Sequence, residues 1–210
     1  MELSLLKTFV PNDLKLWVAD TVMPLKVITD NEILIDKAII IFSSIPLVMK
    51  RLERSPTSIV NENFTLLDYT RIYFIHFLLI QNPSINITQI FNLADDEEKS
   101  SLVKALILLD HRGIAVEKVI DLARTNSVEL FMALAINNPY PSKYFPQGSF
   151  NQLVLKALFS GLDIHNIVGL IERRNDELTR MVLDYKEERI QANRKVPESL
   201  PWALLQQNKI

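Results

Sequence analysis

Two helix-forming runs flank a proline-rich interruption in residues 126–161, which read NSVELFMALAINNPYPSKYFPQGSFNQLVLKALFSG. Leucine, alanine, methionine, lysine and glutamate dominate the two runs, and these residues lose little side-chain freedom in a helix. The interruption contains Pro139, Pro141 and Pro146. Because proline fixes φ and lacks a backbone donor, neither run can continue through it. The stretch predicts two helices joined by a shaped loop over Asn137–Gln152.

Capping residues mark the ends of these and other helices. Asn126 with Glu129, and Ser149 with Gln152, have the spacing of a capping box, and Gly161 stands where a helix commonly ends. Similar signals occur at Asp30, at Asp95 with Glu98, at Gly113 and at Asn175. The interval from Asp95 to Gly113 predicts one helix, and the whole pattern predicts an all-α protein.

The helices are expected to pack as antiparallel neighbours. The pentapeptide LVKAL at 102–106 resembles VLKAL at 154–158, which is the kind of echo that stacked helical pairs produce. Chance matching of common helix formers gives the same echo. Two architectures therefore stay open, a helical-repeat-like stack and a compact irregular bundle.

The length of 210 residues fits one substantial core, and we expect a single all-α domain over residues 1–210. Residues 1–50 could form an N-terminal helical hairpin. The polar stretch 51–64 is the best linker candidate, residues 65–197 form the main body, and residues 198–210 form a docked or frayed tail. Trp202 in that tail favours docking.

Composition limits the partners and the compartment. A formal net charge of −2 leaves no basic surface for a polyanion, so we expect no nucleic-acid partner. The absence of cysteine excludes disulfides. Charges and Pro46 interrupt the apolar run at 33–49, and the run at 72–80 is too short to cross a bilayer, so both predict buried helices. Without a basic, apolar leader sequence, the chain is expected to be cytoplasmic and not membrane-spanning.

The sequence shows no strong catalytic signature. It has no glycine-rich phosphate loop, no nucleophile elbow and no pair of histidines at metal-binding spacing. We therefore predict no catalytic residue, no metal and no cofactor, and the pattern favours a protein that is not an enzyme. Two residues keep an enzymatic alternative open: Lys156, whose amine would be reactive if buried, and His165. Arg173, Arg174 and Arg180 are interpreted as a solvated face, with an anion-binding role as the alternative.

The proline-rich loop is the best candidate ligand site. Its aromatic rings offer flat faces to a planar ligand, and its amides supply donors and acceptors that would fix the ligand's orientation. The same amides are equally suited to satisfying backbone groups at the helix ends, so a structural role is the alternative. The candidate ligand-binding residues are Asn137, Asn138, Tyr140, Tyr144, Phe145, Asn151 and Lys156.

A set of short motifs between Asn126 and Pro197 carries a family likeness. The motifs are NSVE at 126–129, ALA at 133–135, NNPYP at 137–141, Phe145, FNQLVLKALF at 150–159, GL at 169–170, RRN at 173–175, Leu178, Met181, LDY at 183–185, ER at 188–189 and VP at 196–197. Over this range the chain resembles the EboA family closely, whereas upstream the likeness is only a helical pattern. The family usually shows Gly-Leu-Asp before the arginine-rich turn, but Ile171 and Glu172 stand there in this chain. A carboxylate role at that position is therefore absent or shifted to Glu172.

The resemblance implies a bacterial protein encoded in a gene cluster that makes or moves secondary metabolites, including precursors of the sunscreen scytonemin. It brings no catalytic residues with it. The family's component is regarded as a metabolite-traffic protein of unclear biochemistry. Taken with the aromatic and amide residues of the loop, the resemblance favours a cytoplasmic binding or adaptor component that handles a small aromatic or prenylated metabolite or docks other proteins of the same gene cluster. The alternatives are an enzyme of that pathway using Lys156 or His165, and a pure protein-interaction scaffold.

Overall fold

The computed structural model describes residues 3–61 and 64–205, and this part of the chain is essentially all-α, as the sequence predicts. In chain order its α-helices are α1 (Leu3–Phe9), α2 (Asn12–Val22), α3 (Asn31–Arg51), α4 (Leu66–Gln81), α5 (Ile87–Leu93), α6 (Asp96–Val103), α7 (Leu106–Leu109), α8 (Val116–Leu122), α9 (Val128–Ala135), α10 (Pro139–Tyr144), α11 (Gln147–Phe159) and α12 (Asp176–Gln191). Short 3₁₀ helices span Met23–Val27, Ile164–Asn166 and Leu200–Ala203. One small antiparallel sheet pairs β1 (Ile59–Asn61) with β2 (Phe64–Thr65).

The chain divides into two compact units, Met1–Ala115 and Val116–Ile210. The stretch 51–64, which the sequence suggests as a linker, lies inside the first unit, where β1 pairs with β2 in a short hairpin. The boundary between the units instead follows Ala115. That residues 1–210 act as one domain stays a prediction.

The core of the first unit forms around α4, because α1, α2, α3 and α6 all pack against this helix. Phe74, Ile75 and Leu78 on α4 are fully buried, which confirms the buried helix predicted for residues 72–80. Helix α3 is amphipathic: one face is buried, whereas Ile40 and Leu47 are exposed. No helix in the described ranges combines the length and the apolar character needed to cross a membrane.

A buried carboxylate links the start of α4 to α6. Asp68 forms a capping box with Thr65, and its Oδ2 accepts hydrogen bonds from the Thr65 backbone N–H at 2.9 Å and the Lys104 ammonium at 2.8 Å. Burial alone would raise the pKa of Asp68, but the bonds from Lys104 and Thr65 outweigh it and hold that pKa below its ordinary value. Asp68 is therefore a charged residue of the structural core.

The single helix predicted between Asp95 and Gly113 is two helices in the structure of the first unit. Asp95 and Glu98 form the expected capping box, but the helix that they begin, α6, ends at Val103, and α7 follows after a turn. The break spans Lys104, the residue that bonds to Asp68, and Ala105, whose φ of −114° and ψ of 14° leave the helical region. A tertiary ion pair at this point carries no sequence periodicity, so the continuous apolar stripe predicted one helix instead of two.

The second unit corrects three predicted boundaries. Ser127, rather than Asn126, caps α9, with its Oγ accepting from the Leu130 N–H. Helix α11 begins at Gln147, ahead of the predicted capping pair Ser149 and Gln152. The interval Asn137–Gln152 is also mostly helical instead of a loop, because α10 occupies its first half. Proline is well tolerated in the first turn of a helix, where its missing donor is not needed.

The described part of the tail, residues 198–205, is docked on the second unit, as Trp202 suggests. The Trp202 ring lies 4.3 Å from the His165 ring, measured between centroids. The Arg174 guanidinium donates to the Leu204 carbonyl at 3.0 Å, and Leu200 is buried. Asn175 caps α12 as predicted, with its Oδ1 accepting from the backbone N–H three residues along.

Candidate functional site

Asn137 and Asn138 form the entry to α10. Asn137 adopts a positive φ of 53°, and its backbone N–H donates to the Asn166 carbonyl at 2.8 Å. The Asn138 side chain accepts from the Tyr140 N–H and donates to the Ala133 carbonyl, so it caps α10 and holds the end of α9. Asparagine is suited to both tasks, since it tolerates the left-handed region and has a short donor–acceptor side chain.

The three aromatic residues of the predicted site lie largely inside the protein. Tyr140 is fully buried, and its ring centroid is 4.8 Å from that of the half-buried Tyr144. Phe145 is also buried. The ring of Tyr140 therefore packs in the core of the second unit rather than forming an open stacking surface.

Asn151 connects α11 to α12 through a pair of amides. Its Oδ1 accepts from the Asn175 Nδ2 at 3.0 Å and from the Gln147 Nε2 at 2.9 Å, and its own Nδ2 donates to the Asn175 Oδ1 at 3.2 Å. Asn151 is fully buried, and Asn175 is the cap of α12. These contacts stabilise the junction between the two helices.

Arg173 organises the end of α10, a role that the sequence interpretation missed. Its guanidinium donates to the carbonyls of Pro141, Ser142 and Phe145 at 2.8–3.0 Å and lies over the Phe150 ring at 4.4 Å. A helix end leaves carbonyls without intrahelical partners, and the planar fork of arginine can satisfy several at once. The solvated-face interpretation is therefore wrong for Arg173. The only signal in the sequence is its place in the arginine-rich turn.

Gly169 lets the turn before Arg173 approach α10. Its φ is +76°, and a Cβ built there would lie 1.9 Å from the Ser142 Oγ. Glycine alone combines this conformation with such a close approach at no steric cost. Ile171 and Glu172, where the chain departs from the usual family pattern, are both exposed.

Lys156 lies beneath the loop that joins α8 to α9. Its ammonium donates to the carbonyls of Ala123 at 2.7 Å and Thr125 at 2.6 Å, and it lies 4.5 Å from the centroid of the Phe131 ring. Desolvation lowers the pKa of this ammonium. No carboxylate of the described residues forms an ion pair with it. Lys156 is thus an ammonium held by backbone dipoles and an aromatic ring.

A cavity of about 450 Å³ opens beside Lys156. It lies within the second unit, between α8 and the first half of α11. Its walls are Ile120, Ala123, Arg124, Phe145, Pro146, Gly148, Ser149, Gln152, Leu153 and Lys156. Two of the seven candidate ligand-binding residues, Phe145 and Lys156, are in this lining, and the other five are not.

Comparison with known families decides the assignment of the chain. The family model described as metabolite traffic protein EboA matches residues 34–206. The chain belongs to the EboA family. This confirms the resemblance and extends it upstream, since the EboA match begins within α3 in the first unit. No curated protein and no solved structure gave a significant match to the chain.

The three histidines of this EboA protein are absent from the lining of the cavity beside Lys156. His165 is exposed, and its ring contacts the Trp202 ring at a tilt of 54°. A second cavity, of about 300 Å³, lies in the first unit with His76 and His111 in its lining. Burial, together with the charge of Lys7, lowers the pKa of His76. Within residues 3–61 and 64–205, no three histidine or acidic side chains converge as a metal site would require.

Proposed function

We propose that this EboA-family protein binds a small metabolite with an aromatic or prenyl body in the cavity beside Lys156. The observation that carries the proposal is the cavity itself. Its volume of about 450 Å³ falls in the range of small-molecule sites, roughly 300–1,000 Å³. Ile120, Phe145 and Leu153 give it apolar walls, while Gln152 and Lys156 supply the few polar groups that orient a ligand.

A binding role agrees with the chemistry of the residues around the cavity. Burial of an aromatic or prenyl body against apolar walls stabilises the complex by about 25 cal/mol for each Å² removed from water. No step of bond making or breaking is required of Lys156, whose ammonium is bonded to two carbonyls. The protein would carry the metabolite between other components of its gene cluster, in keeping with the traffic role in the family description.

Filling the cavity tests the proposal. Gly148 lines the cavity, and a Cβ built on it meets nothing within 4 Å, so Gly148→Trp adds an indole to the cavity lining without a clash at the Cβ. Two fluorescent probes would be titrated, the neutral N-phenyl-1-naphthylamine and 8-anilinonaphthalene-1-sulfonate, which differ only in the sulfonate. We expect wild-type protein to bind at least one probe and Gly148→Trp to weaken binding about tenfold or more.

Gly148→Ala is the matched control, since it makes the same backbone change without filling the cavity. If neither probe binds, or if Gly148→Trp binds both as tightly as Gly148→Ala does, the proposal is wrong. The same two variants distinguish a metabolite carrier from a pure protein-interaction scaffold in cells that produce the metabolite. A pure scaffold would leave metabolite levels unchanged when the cavity is filled, whereas a carrier would lose transport.

A further inference from the structure

The charges around the cavity beside Lys156 restrict the class of metabolite. We infer that the metabolite carries an anionic group, a carboxylate or a phosphate, which is held by Lys156 and Arg124 while its apolar body lies against Phe145 and Leu153. This inference rests on the proposed function and names the ligand class of the same cavity. The inference follows from the two cationic side chains that line the cavity and from the partners that each of them has in the protein.

Lys156 brings a positive charge that no acidic side chain neutralises. Its two carbonyl partners and the Phe131 ring stabilise the ammonium through dipoles and leave its net charge in place. An ammonium also has three N–H donors, and two of them are directed at the carbonyls. A ligand anion in the cavity would therefore meet a fixed, partly desolvated cation, where the attraction is stronger than in open water.

Arg124 brings a second cation to the same lining. Its guanidinium pairs with Asp121 at 3.1 Å, but the side chains of this pair are 77% and 65% exposed. Such surface pairs contribute little, typically below about 1 kcal/mol, so the guanidinium can turn to a ligand at low cost. The cavity lining contains no aspartate or glutamate to oppose an anion.

The start of α11 adds backbone donors to the cavity lining. Pro146 precedes the helix and has no side chain that could cap it, in contrast to the capping residues of α9, α10 and α12. Gly148 and Ser149, which line the cavity, belong to the first turn of α11, where backbone N–H groups lack intrahelical acceptors. Together with Lys156 and Arg124, they give the cavity lining positively charged groups and backbone donors that favour an anion.

The two naphthyl probes test the inference on the full-length protein. We expect 8-anilinonaphthalene-1-sulfonate to bind about tenfold more tightly than its neutral analogue. Added salt should lower the affinity for the sulfonate probe only. Arg124→Gln should reduce the affinity for the sulfonate about threefold to tenfold and leave the neutral probe unchanged. Arg180→Gln is the matched control, because Arg180 also forms an exposed pair, with Asp184, and lies outside the cavity lining.

Lys156→Met should remove most of the preference for the sulfonate probe over the neutral probe that Arg124→Gln leaves. Lys143→Met is its control. Circular dichroism shows whether each variant is folded. If Lys156→Met does not fold, Arg124→Gln still decides the result. Displacement by geranyl phosphate, geranic acid and geraniol then distinguishes a phosphate from a carboxylate, and geraniol should compete worst.

The outcomes separate the inference from the proposed function. If both probes bind with equal affinity and Gly148→Trp blocks both, the cavity binds ligands but the inferred anion preference is wrong. If neither probe binds in a manner sensitive to Gly148→Trp, the proposed function itself fails. A sulfonate preference that survives Arg124→Gln and Lys156→Met unchanged would also overturn the inference.

Discussion

Three glycines of the second unit differ in what surrounds them, and each difference has an energetic consequence. Gly148 has an ordinary helical backbone and open space, Gly161 has a φ of +71° and open space, and Gly169 has a φ of +76° with the Ser142 side chain at 1.9 Å from a built Cβ. Positive φ penalises any residue with a Cβ, and a contact shorter than van der Waals distance adds the cost of moving its neighbour.

Alanine substitutions should therefore destabilise in the order Gly148, Gly161, Gly169. We expect Gly148→Ala to be neutral or slightly stabilising, Gly161→Ala to lower the free energy of unfolding by about 1 kcal/mol, and Gly169→Ala to lower it by ~2 kcal/mol or more. Urea denaturation of the three variants measures these differences. Equal effects at Gly161 and Gly169 would show that the contact with Ser142 has no energetic weight.

At the scale of the helix, the start of α4 depends on the ionised form of Asp68. The pKa of Asp68 in the folded protein lies below the ordinary value of 3.8, and the unfolded chain has the ordinary value. The unfolded chain therefore takes up a proton first as the pH falls. The stabilisation is complete above about pH 4 and is lost as the pH falls through the folded pKa.

Asp68→Asn should consequently lower the free energy of unfolding at neutral pH by about 2 kcal/mol, because it removes the negative charge to which Lys104 and Thr65 donate hydrogen bonds. The difference from wild type should begin to shrink below about pH 4, where the unfolded wild-type chain takes up a proton, and should be lost as the pH falls through the folded pKa of Asp68. Urea denaturation at neutral and acidic pH measures both effects. Asp184→Asn is the control, since Asp184 belongs to an exposed pair with Arg180 and should show a difference within about 0.5 kcal/mol.

At the scale of the whole molecule, the two tryptophans report on the two compact units. Trp17 lies on α2 and stacks on Phe74 in the first unit, while Trp202 contacts His165 in the second. Trp17→Phe and Trp202→Phe each retain one of the two tryptophans. If the chain is a single domain, the two variants should show the same midpoint of unfolding when the transition is followed by tryptophan fluorescence.

Each substitution can itself change the stability of the protein and so shift the midpoint. Circular dichroism, which follows the unfolding of both units together, measures that shift in each variant. A tryptophan fluorescence midpoint that differs from the circular dichroism midpoint of the same variant, or a circular dichroism transition with two steps, would show that the units unfold separately. In that case the boundary after Ala115 would divide two domains.

The sequence by itself determined the features that depend on near neighbours along the chain. The caps at Asp30, Asp95 and Asn175 and the all-α class follow from signals within three or four residues, because a helix repeats its contacts at that spacing. The EboA likeness is also linear information. The proline-rich interval was recognised for the same reason, although its prolines fit the first turns of helices and do not exclude them.

Only the tertiary structure decided which partners the residues of that interval have. The Asn151 amide pairs with a residue 24 positions away, and the Lys156 ammonium bonds to the Ala123 carbonyl 33 positions away. Contacts between residues so far apart leave no periodic pattern in the sequence. From the sequence alone, an amide whose hydrogen bonds are all made within the protein cannot be told from an amide that is available to a ligand. The cavity arises in the same way, because its walls come from α8, α11 and the turn before α11, which meet only when the unit packs.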